Sequence, residues 1–195
     1  MSRTTNDARE RVIRAAEQLF AEKGYGPVTL RQIGVAAGIH HSSLYHHVPG
    51  GKADLFIEVT ERMLDRHQIG VQEALDRHAP DLRAQLYAVA EWFIHNPPID
   101  LLRMEHVDLQ ELGPSQHQHL TEYAYQALQV PIIIALQVAK DRGIISYDDL
   151  DLVSGGLVGM IQSLHAVSEE AAGKPRLVMA QRLIDLLLDG LLPRR

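Results

Sequence analysis

The feature that most constrains the fold of this chain is a pair of short helical segments joined by a glycine, in the stretch VTLRQIGVAAGIHHSSLYHHVPGGK at residues 28–52. Thr29 is a good helix N-cap, and the apolar residues Ile33 and Ala37 follow it at helical spacing. Gly38 ends the first segment, because glycine readily takes the left-handed conformation that closes a helix and turns the chain steeply. The pattern predicts a helix-turn-helix.

The second segment, roughly His41 to His47, combines one inward-facing apolar residue, Leu44, with a polar outer surface. The side chains left outside are hydrogen-bonding groups, namely His41, Ser42, Ser43, Tyr45, His46 and His47. Such a face offers little to a protein core, but it can hydrogen-bond base edges and phosphates in the major groove of DNA. We therefore interpret this segment as a recognition helix.

These residues also resemble the DNA-binding signature of the tetracycline-repressor (TetR) family of transcriptional regulators. The resemblance is carried by T-L-x-x-I-G-x-A-A-G-I-x-x-x-x-L-Y-H-H-V followed by G-G-K-A-D-L. The match is fairly specific and covers about the first quarter of the chain. The sequence departs from the usual family pattern at Gly34, His40 and Val48.

The resemblance implies a role for each exposed residue of this stretch. The residues expected to contact phosphates are Thr29, Ser43, Tyr45, His47 and Lys52, and those expected to face bases are His41, Ser42 and His46. Phosphate contacts would fix the register on DNA, and base contacts its specificity. Lys52 also lies at the predicted N-terminus of the next helix, where amide groups and the helix dipole favour an anion, so we expect a phosphate clamp there. The alternative is a solvated lysine.

Composition and charge agree with this interpretation. The chain has 195 residues, of which 46% are hydrophobic, enough for one well-buried domain or for a small domain joined to a larger one. The net charge is −6, but residues 1–52 hold seven Lys/Arg against four Asp/Glu, so this part carries +3 and the rest −9. A basic end on an acidic protein can attract and orient DNA. The alternative is that so small an excess arises by chance.

No sequence feature predicts a membrane protein or a secreted protein. The longest apolar run, Val130 to Ala135, is interrupted by Pro131 and is far shorter than the roughly 20 residues needed to span a bilayer. The charged N-terminal stretch lacks the apolar segment of a secretory signal. The absence of cysteine excludes disulfides and thiolate metal sites and fits a reducing cytoplasm, where we expect the protein to be soluble.

Helical periodicity predicts an all-α fold of about nine helices. We expect a three-helix, helix-turn-helix DNA-binding head at residues 1–52 and a larger helical ligand-binding and dimerisation body at residues 53–195. Besides the helix-turn-helix, the predicted helices are Asp7–Lys23 with Asp7 as its cap, residues 52–78, Asp81–His95, Ile99–Glu111, Pro114–Arg142, Tyr147–Glu170 and Pro175–Leu192. Pro131 should kink or break its helix, because proline lacks an amide donor.

A broken helix inside a bundle leaves room for a small molecule. The candidate ligand-binding residues are mainly large apolar or aromatic side chains with a few polar ones: Trp92, Phe93, His95, Met104, His106, Tyr123 and Met160. Such a lining is typical of a small-molecule cavity, and the alternative is that these are ordinary core residues. The ligand hypothesis depends mainly on the family resemblance.

The last two predicted helices carry apolar stripes that favour a homodimer. The stripe residues are Leu157, Met160, Ile161, Leu164, Leu183, Leu186 and Leu187. Glycines at positions 155, 156 and 159 would permit a close approach of helices. The closing L-L-L-D-G-L-L-P is similar to the ending of many family members, in which the last two helices pair across a two-fold axis.

Eleven histidines make a bound metal an alternative to be weighed, with His95, His106, His117 and His119 as the first candidates. Their spacing forms no recognised metal motif. The chain also has no cysteine, G-x-S-x-G, P-loop or dinucleotide fingerprint. We therefore predict no metal, no cofactor and no enzymatic activity.

The leading hypothesis is a homodimeric, ligand-responsive DNA-binding regulator, expected to be a repressor released from double-stranded operator DNA by a small-molecule effector. One recognition helix reads only a few base pairs, so two related by symmetry should bind a palindrome with half-sites about one helical turn apart or more. Two alternatives are a helical protein-interaction module and a histidine-based metalloprotein.

Overall fold

The computed structural model of the protein describes residues 2–96 and 104–190; of these, the side chains at 2–6, 41, 42 and 105 are not described. Within these ranges every regular element is helical, which confirms the all-α fold class. The helices are α1 (Ser2–Lys23), α2 (Leu30–Ala37), α3 (His41–His47), α4 (Gly51–His78), α5 (Leu82–His95), α6 (Pro114–Leu128), α7 (Val130–Asp141), α8 (Leu150–Ser163), α9 (Glu169–Ala172) and α10 (Arg176–Asp189). A π-helical turn (Met104–Asp108) and a 3-10 turn (Leu109–Glu111) precede α6, and a second 3-10 turn (Leu164–Ala166) follows α8.

The described residues form two compact units, neither of which is continuous in sequence. The first unit takes its residues from Met1–Met63 and Ile99–Tyr123, and the second from Leu64–Pro98 and Ala124–Arg195. Helix α4 therefore contributes to both. This division differs from the predicted boundary at residue 52, which stays a prediction about function.

The core of the first unit forms between α1 and the first half of α4. Phe20 and Phe56 meet edge to face with ring centroids 5.1 Å apart, and Tyr25 lies 5.0 Å from Phe56. The apolar residues that α1 and α4 bury around them include Val12, Ile13, Ala16, Leu55 and Val59. Helix α1 begins at Ser2, so the prediction that Asp7 caps it was wrong: Asp7 lies inside the helix, which extends further toward the N-terminus than its apolar pattern does.

The second unit is built from apolar faces of α5, α7, α8 and α10. Its fully or almost fully buried residues include Leu86, Val89, Phe93, Ile132, Leu136, Leu157, Ile161 and Ile184. Asp81 caps α5 by accepting from the amide of Ala84 at 3.1 Å. On the surface, Arg83 and Tyr87 of α5 both bind the carboxylate of Asp185 on α10.

Several predicted helices differ from the observed ones. Pro131 does break its helix: α6 ends at Leu128 and α7 begins at Val130, so the proline lies in a first turn, where its missing donor leaves no hydrogen bond unmade. The described part of the predicted helix Ile99–Glu111 starts at Met104 and consists of the π-helical and 3-10 turns. The predicted helix Tyr147–Glu170 is divided into α8, a 3-10 turn and α9. The end of the last predicted helix, beyond residue 190, lies outside the described residues.

Within the described ranges, no helix is both long enough and apolar enough to cross a membrane.

Candidate nucleic-acid interface

Helix α2 begins and ends as its sequence predicts. The hydroxyl of Thr29 accepts from the amide of Gln32 at 3.3 Å, and the amide of Thr29 donates to the Gln32 side chain at 2.8 Å, which completes a capping box. Gly38 has a φ of 65°, in the left-handed region, and the next amide returns to the carbonyl of Gly34 at 2.9 Å. Both local predictions are confirmed, and the chain turns directly from α2 into α3.

The recognition segment is held against α2 by one side chain. Leu44 is completely buried, as predicted. A Cβ atom built on Gly34 would lie 3.3 Å from a Leu44 methyl group, so glycine at this position lets the two short helices approach closely. His40 precedes α3 with an extended backbone and makes no capping hydrogen bond with its side chain.

The remaining described side chains of α3 are directed outward. Ser43, Tyr45 and His46 are exposed, with Tyr45 at 53%, and His47 is half-buried. Thr29 is exposed at the start of α2. The side chains of His41 and Ser42, predicted to face bases, lie outside the described part of the structure. On α2, Val35 is 76% exposed, although no motif in the sequence indicates it as a contact residue.

Lys52 is half-buried and binds the turn between α1 and α2. Its ammonium donates to the carbonyls of Tyr25 at 3.0 Å and Gly26 at 3.2 Å, and lies 3.9 Å from the centre of the Tyr25 ring. The alternative of a solvated lysine is therefore wrong. Because an ammonium has three N–H donors, binding two carbonyls does not use all of them, and the phosphate contact stays a prediction.

Arg9 of α1 holds the other end of the recognition helix. Its guanidinium donates to the carbonyl oxygen of His47 and, at 2.6 Å, to the carboxylate of Glu58 on α4. An arginine at a helix C-terminus also interacts favourably with the helix dipole. The sequence alone does not indicate this role, because the partners of Arg9 lie 38 and 49 residues away and no local pattern connects them.

The seven candidate ligand residues are divided between the two units. Trp92, Phe93, His95 and Met160 belong to the second unit, and Met104, His106 and Tyr123 to the first. Phe93 and Met104 are buried, whereas His95 and His106 are exposed and the other three half-buried. The indole N–H of Trp92 donates to His67 at 3.2 Å. Their role in binding a ligand stays a prediction.

A cleft of about 190 Å³ opens in the second unit between the end of α4 and α7. Its lining includes the apolar residues Leu75, Ala79, Pro80, Ile134 and Val138, together with Asp76 and Arg142. None of the candidate ligand residues lines it. No pattern in the sequence predicted this cleft, because its walls come from helices far apart in the chain.

His67 is a buried histidine close to Trp92 and Phe93. It accepts from the indole at Nδ1, so its proton resides on Nε2, and its ring lies 5.7 Å from that of Phe93. Burial, with a smaller contribution from the positive charge of Arg66, lowers the pKa of His67 to about 4. The imidazole is therefore neutral at physiological pH.

The residues predicted for a dimer surface differ in their exposure within one protomer, and their role in a dimer stays a prediction. Leu157, Ile161 and Leu164 are buried within one protomer, at 1–6% exposure, and have almost no surface left to cover. Met160 and Leu183 are half-buried, while Leu186 and Leu187 are exposed. The outer face of α8 instead carries Leu152, Gly156 and Gly159, all exposed.

Among the described residues, no three His, Asp or Glu side chains are arranged to hold a metal ion. His119 instead pairs with Glu61 of α4, with 2.6 Å between Nε2 and a carboxylate oxygen.

Comparison with known proteins gives the helix-turn-helix its context. Residues 12–59 match the family model described as bacterial regulatory proteins, tetR family. The HTH-type transcriptional regulator LmrA of Bacillus subtilis is 33% identical over 127 residues, which are 60% of this chain and 68% of the relative. Among solved structures, the TetR family regulator PfmR from Thermus thermophilus has a TM-score of 0.71 and 22% identity over 94% of this chain and all of its own.

A second solved structure, the regulator FadR from Bacillus subtilis in complex with stearoyl-CoA, has a TM-score of 0.73 at 18% identity and covers 94% of this chain and 99% of its own. At these identities the two structures show a shared fold. The family model, the LmrA match and the observed helix-turn-helix agree, and the chain belongs to the TetR family of DNA-binding transcriptional regulators.

Proposed function

We propose that this TetR-family regulator is a homodimeric repressor that a small-molecule effector releases from a palindromic operator. The observation that carries the proposal is the contrast within α3, where Leu44 is buried and Ser43, Tyr45 and His46 are exposed. A seven-residue helix with that distribution offers hydrogen-bonding groups to a major groove while one side chain anchors it.

Phosphate contacts are assigned to Thr29, Ser43, Tyr45, His47 and Lys52, and base contacts to His41, Ser42 and His46. The sharpest test is Tyr45→Phe, which removes one hydroxyl and leaves the ring. Removal of a charged phosphate-binding side chain should flatten the dependence of log affinity on log salt concentration by up to about one unit. Because the tyrosine hydroxyl is neutral, Tyr45→Phe should weaken operator affinity but change this salt dependence less than the removal of a lysine would.

The matched control is Tyr147→Phe, because Tyr147 is also about half exposed but belongs to the second unit. Operator affinity should fall for Tyr45→Phe and remain at the wild-type value for Tyr147→Phe. Equal affinities for all three proteins would remove Tyr45 from the interface.

The operator is found by selecting duplexes from a random-sequence library with the full-length protein. Because two recognition helices related by symmetry meet the DNA, the selected sequences should contain an inverted repeat with half-sites about one helical turn apart or more. Selection of a single half-site, or of none, would contradict the dimeric operator complex.

The dimer surface is assigned to the outer face of α8 and to the exposed leucines of α10. Gly156 is exposed, and a Cβ atom there would meet nothing within 4 Å in its own protomer, so Gly156→Arg fits the monomer while obstructing a partner. Sedimentation equilibrium at micromolar concentration should show a dimer for the wild type and a monomer for this variant. Gly113→Arg, at an exposed glycine of the first unit, is the control and should remain dimeric.

Release by an effector requires that the effector bind the free protein more tightly than the DNA complex. Couplings between two sites of about 1–3 kcal/mol change affinity about 5- to 150-fold. Stearoyl-CoA is the first probe, because the structure of the similar FadR contains it. If stearoyl-CoA binds with measurable heat but does not change operator affinity, a switch driven by this compound is contradicted. If no compound in a wider effector screen changes operator affinity, effector release itself is contradicted.

A further inference from the structure

A buried carboxylate from the middle of the chain contacts the turn that precedes the helix-turn-helix. Asp108 is 1% exposed, and its Oδ1 accepts from the backbone amide of Tyr25 at 2.7 Å, across 83 residues of sequence. Both residues belong to the first unit. Asp108 is the last residue of the π-helical turn, a rare element that is frequently found at functional sites.

The turn has the shape that this contact requires. Gly24 has a φ of +80°, and a Cβ atom there would lie 2.7 Å from Oδ1 of Asp108. A Cβ atom on Gly26 would lie 2.4 Å from a carboxylate oxygen of Glu111. Glycines on both sides of Tyr25 therefore leave room for the segment 104–111 to lie directly against the backbone of the turn.

Tyr25 is also held at its other groups. Its carbonyl accepts from Lys52, and its ring lies within 6.2 Å of Phe20 and 5.0 Å of Phe56. Burial, and secondarily the charge of Glu111, raises the pKa of its hydroxyl. Amide, carbonyl and ring of one residue thus each have a partner. Because Thr29, the cap of α2, follows only four residues later, the position of Tyr25 decides where the helix-turn-helix begins.

A buried carboxylate is costly to desolvate, and an apolar residue of similar size would avoid that cost. The directional bond to the Tyr25 amide is what an apolar residue could not supply. We propose that Asp108 is a positioning residue for DNA binding, which fixes the Gly24–Gly26 turn and thereby the orientation of α2 and α3. The consequence for operator affinity rests on the proposed contacts of α3.

The first experiment measures hydrogen exchange in the free, full-length protein. Asp108→Leu removes the acceptor and should raise the exchange rate of the Tyr25 amide about tenfold or more, since a hydrogen bond to a charged group contributes more than the free energy of a tenfold change. Asp108→Asn keeps an acceptor oxygen and should restore most of the protection. Glu111→Gln, which leaves the Tyr25 amide bond intact, is the control. An unchanged rate in Asp108→Leu would overturn the proposal.

The second experiment measures affinity for the duplex selected by the wild type and for a random duplex of equal length. Asp108→Leu should weaken binding to the selected duplex about tenfold or more and to the random one less than about twofold, and Asp108→Asn should recover most of the difference. Equal losses of affinity for both duplexes would indicate general unfolding, which also overturns a positioning role. The Asp108→Asn variant tests the same role without an apolar substitution.

The two experiments separate the failure of this inference from that of the proposed function. Fast exchange at Tyr25 combined with wild-type operator affinity would refute positioning and leave the operator complex intact. If the wild type selects no duplex, the proposed operator complex fails, and the exchange rates still decide whether Asp108 holds the turn.

Discussion

The two units of the protein fix their helices by different kinds of contact. In the first unit, helices of eight and seven residues are positioned by directional bonds at their ends: Lys52 and Asp108 hold the turn before α2, and Arg9 holds the last carbonyl of α3. In the second unit, α5, α8 and α10 have 14 residues each and bury apolar side chains along their length. Short helices bury too little surface to fix their orientation by packing alone, so polar contacts decide it.

This comparison predicts that single substitutions act differently in the two units. In the second unit they should mainly change the free energy of unfolding. In the first unit they should change DNA affinity more than stability.

The largest effect is expected for Phe93→Ala, because Phe93 is fully buried in the second unit. Removing a buried phenylalanine side chain should lower the free energy of unfolding by about 3–5 kcal/mol. Urea denaturation followed by circular dichroism measures it, with His95→Ala, at an exposed position of the same helix, as a control that should change stability by less than about 0.5 kcal/mol. A decrease below about 1 kcal/mol for Phe93→Ala would contradict the role assigned to packing.

The next effect is a pH dependence of stability from His67, whose pKa in the folded protein is about 4. Its ordinary value is about 6.5, so above that pH both folded and unfolded states are neutral and the full stability is present. As the pH falls from about 6.5 to about 4, the unfolded state binds a proton that the folded state does not, and stability drops by at most about 3 kcal/mol.

Comparison of the wild type with His67→Gln isolates this contribution. The difference in unfolding free energy between the two proteins should shift between pH 7.5 and pH 4.5, because only the wild type carries an imidazole whose pKa is lowered by folding. A His67→Gln difference that does not vary with pH would show that folding does not lower the pKa of His67.

A smaller effect is expected in the first unit from Thr29→Ala, which removes the side-chain cap of α2. Loss of a threonine cap costs about 1 kcal/mol. Thr29→Ser keeps the hydroxyl and should retain most of the stability, as measured by urea denaturation. If α2 were held by packing, as the helices of the second unit are, the alanine and serine variants would be equally stable.

The smallest effect is expected for Arg83→Gln on the surface of the second unit. Arg83 pairs with Asp185 and with Asp189, but its side chain is 38% exposed, and exposed ion pairs contribute about 1 kcal/mol or less. The decrease in stability should shrink further in about 1 M salt, where screening is strong. Arg182→Gln, at an exposed position on α10, is the control. A decrease in stability for Arg83→Gln that is well above the decrease for Thr29→Ala would contradict the comparison.

The sequence predicted those parts of the interface that depend on neighbouring residues. The cap at Thr29, the left-handed Gly38 and the burial of Leu44 follow from side-chain chemistry and helical spacing within a few positions. The break at Pro131 was predicted for the same reason, since proline removes its own amide donor wherever it stands.

Contacts across long separations were not predicted. No local pattern connects Asp108 with Tyr25, Arg9 with His47, or Lys52 with the carbonyls of Tyr25 and Gly26. The apolar stripe of α8 was assigned to a dimer surface, although Leu157 and Ile161 are buried in their own protomer. Helical spacing shows that one face of a helix is apolar, but it does not show whether that face meets the same chain or a second copy.

The bond between Asp108 and Tyr25 bears on how such regulators can be recombined. A chimera that joins the first 63 residues of this chain to the remainder of a relative without a carboxylate at the position of Asp108 would carry Gly24 and Gly26 without the bond that they accommodate. Such a hybrid would keep every residue of the recognition helix, but the turn before the helix-turn-helix would lack its hydrogen bond to Asp108. Exchange of operator specificity between relatives would therefore require residues 104–111 to travel with the N-terminal helices.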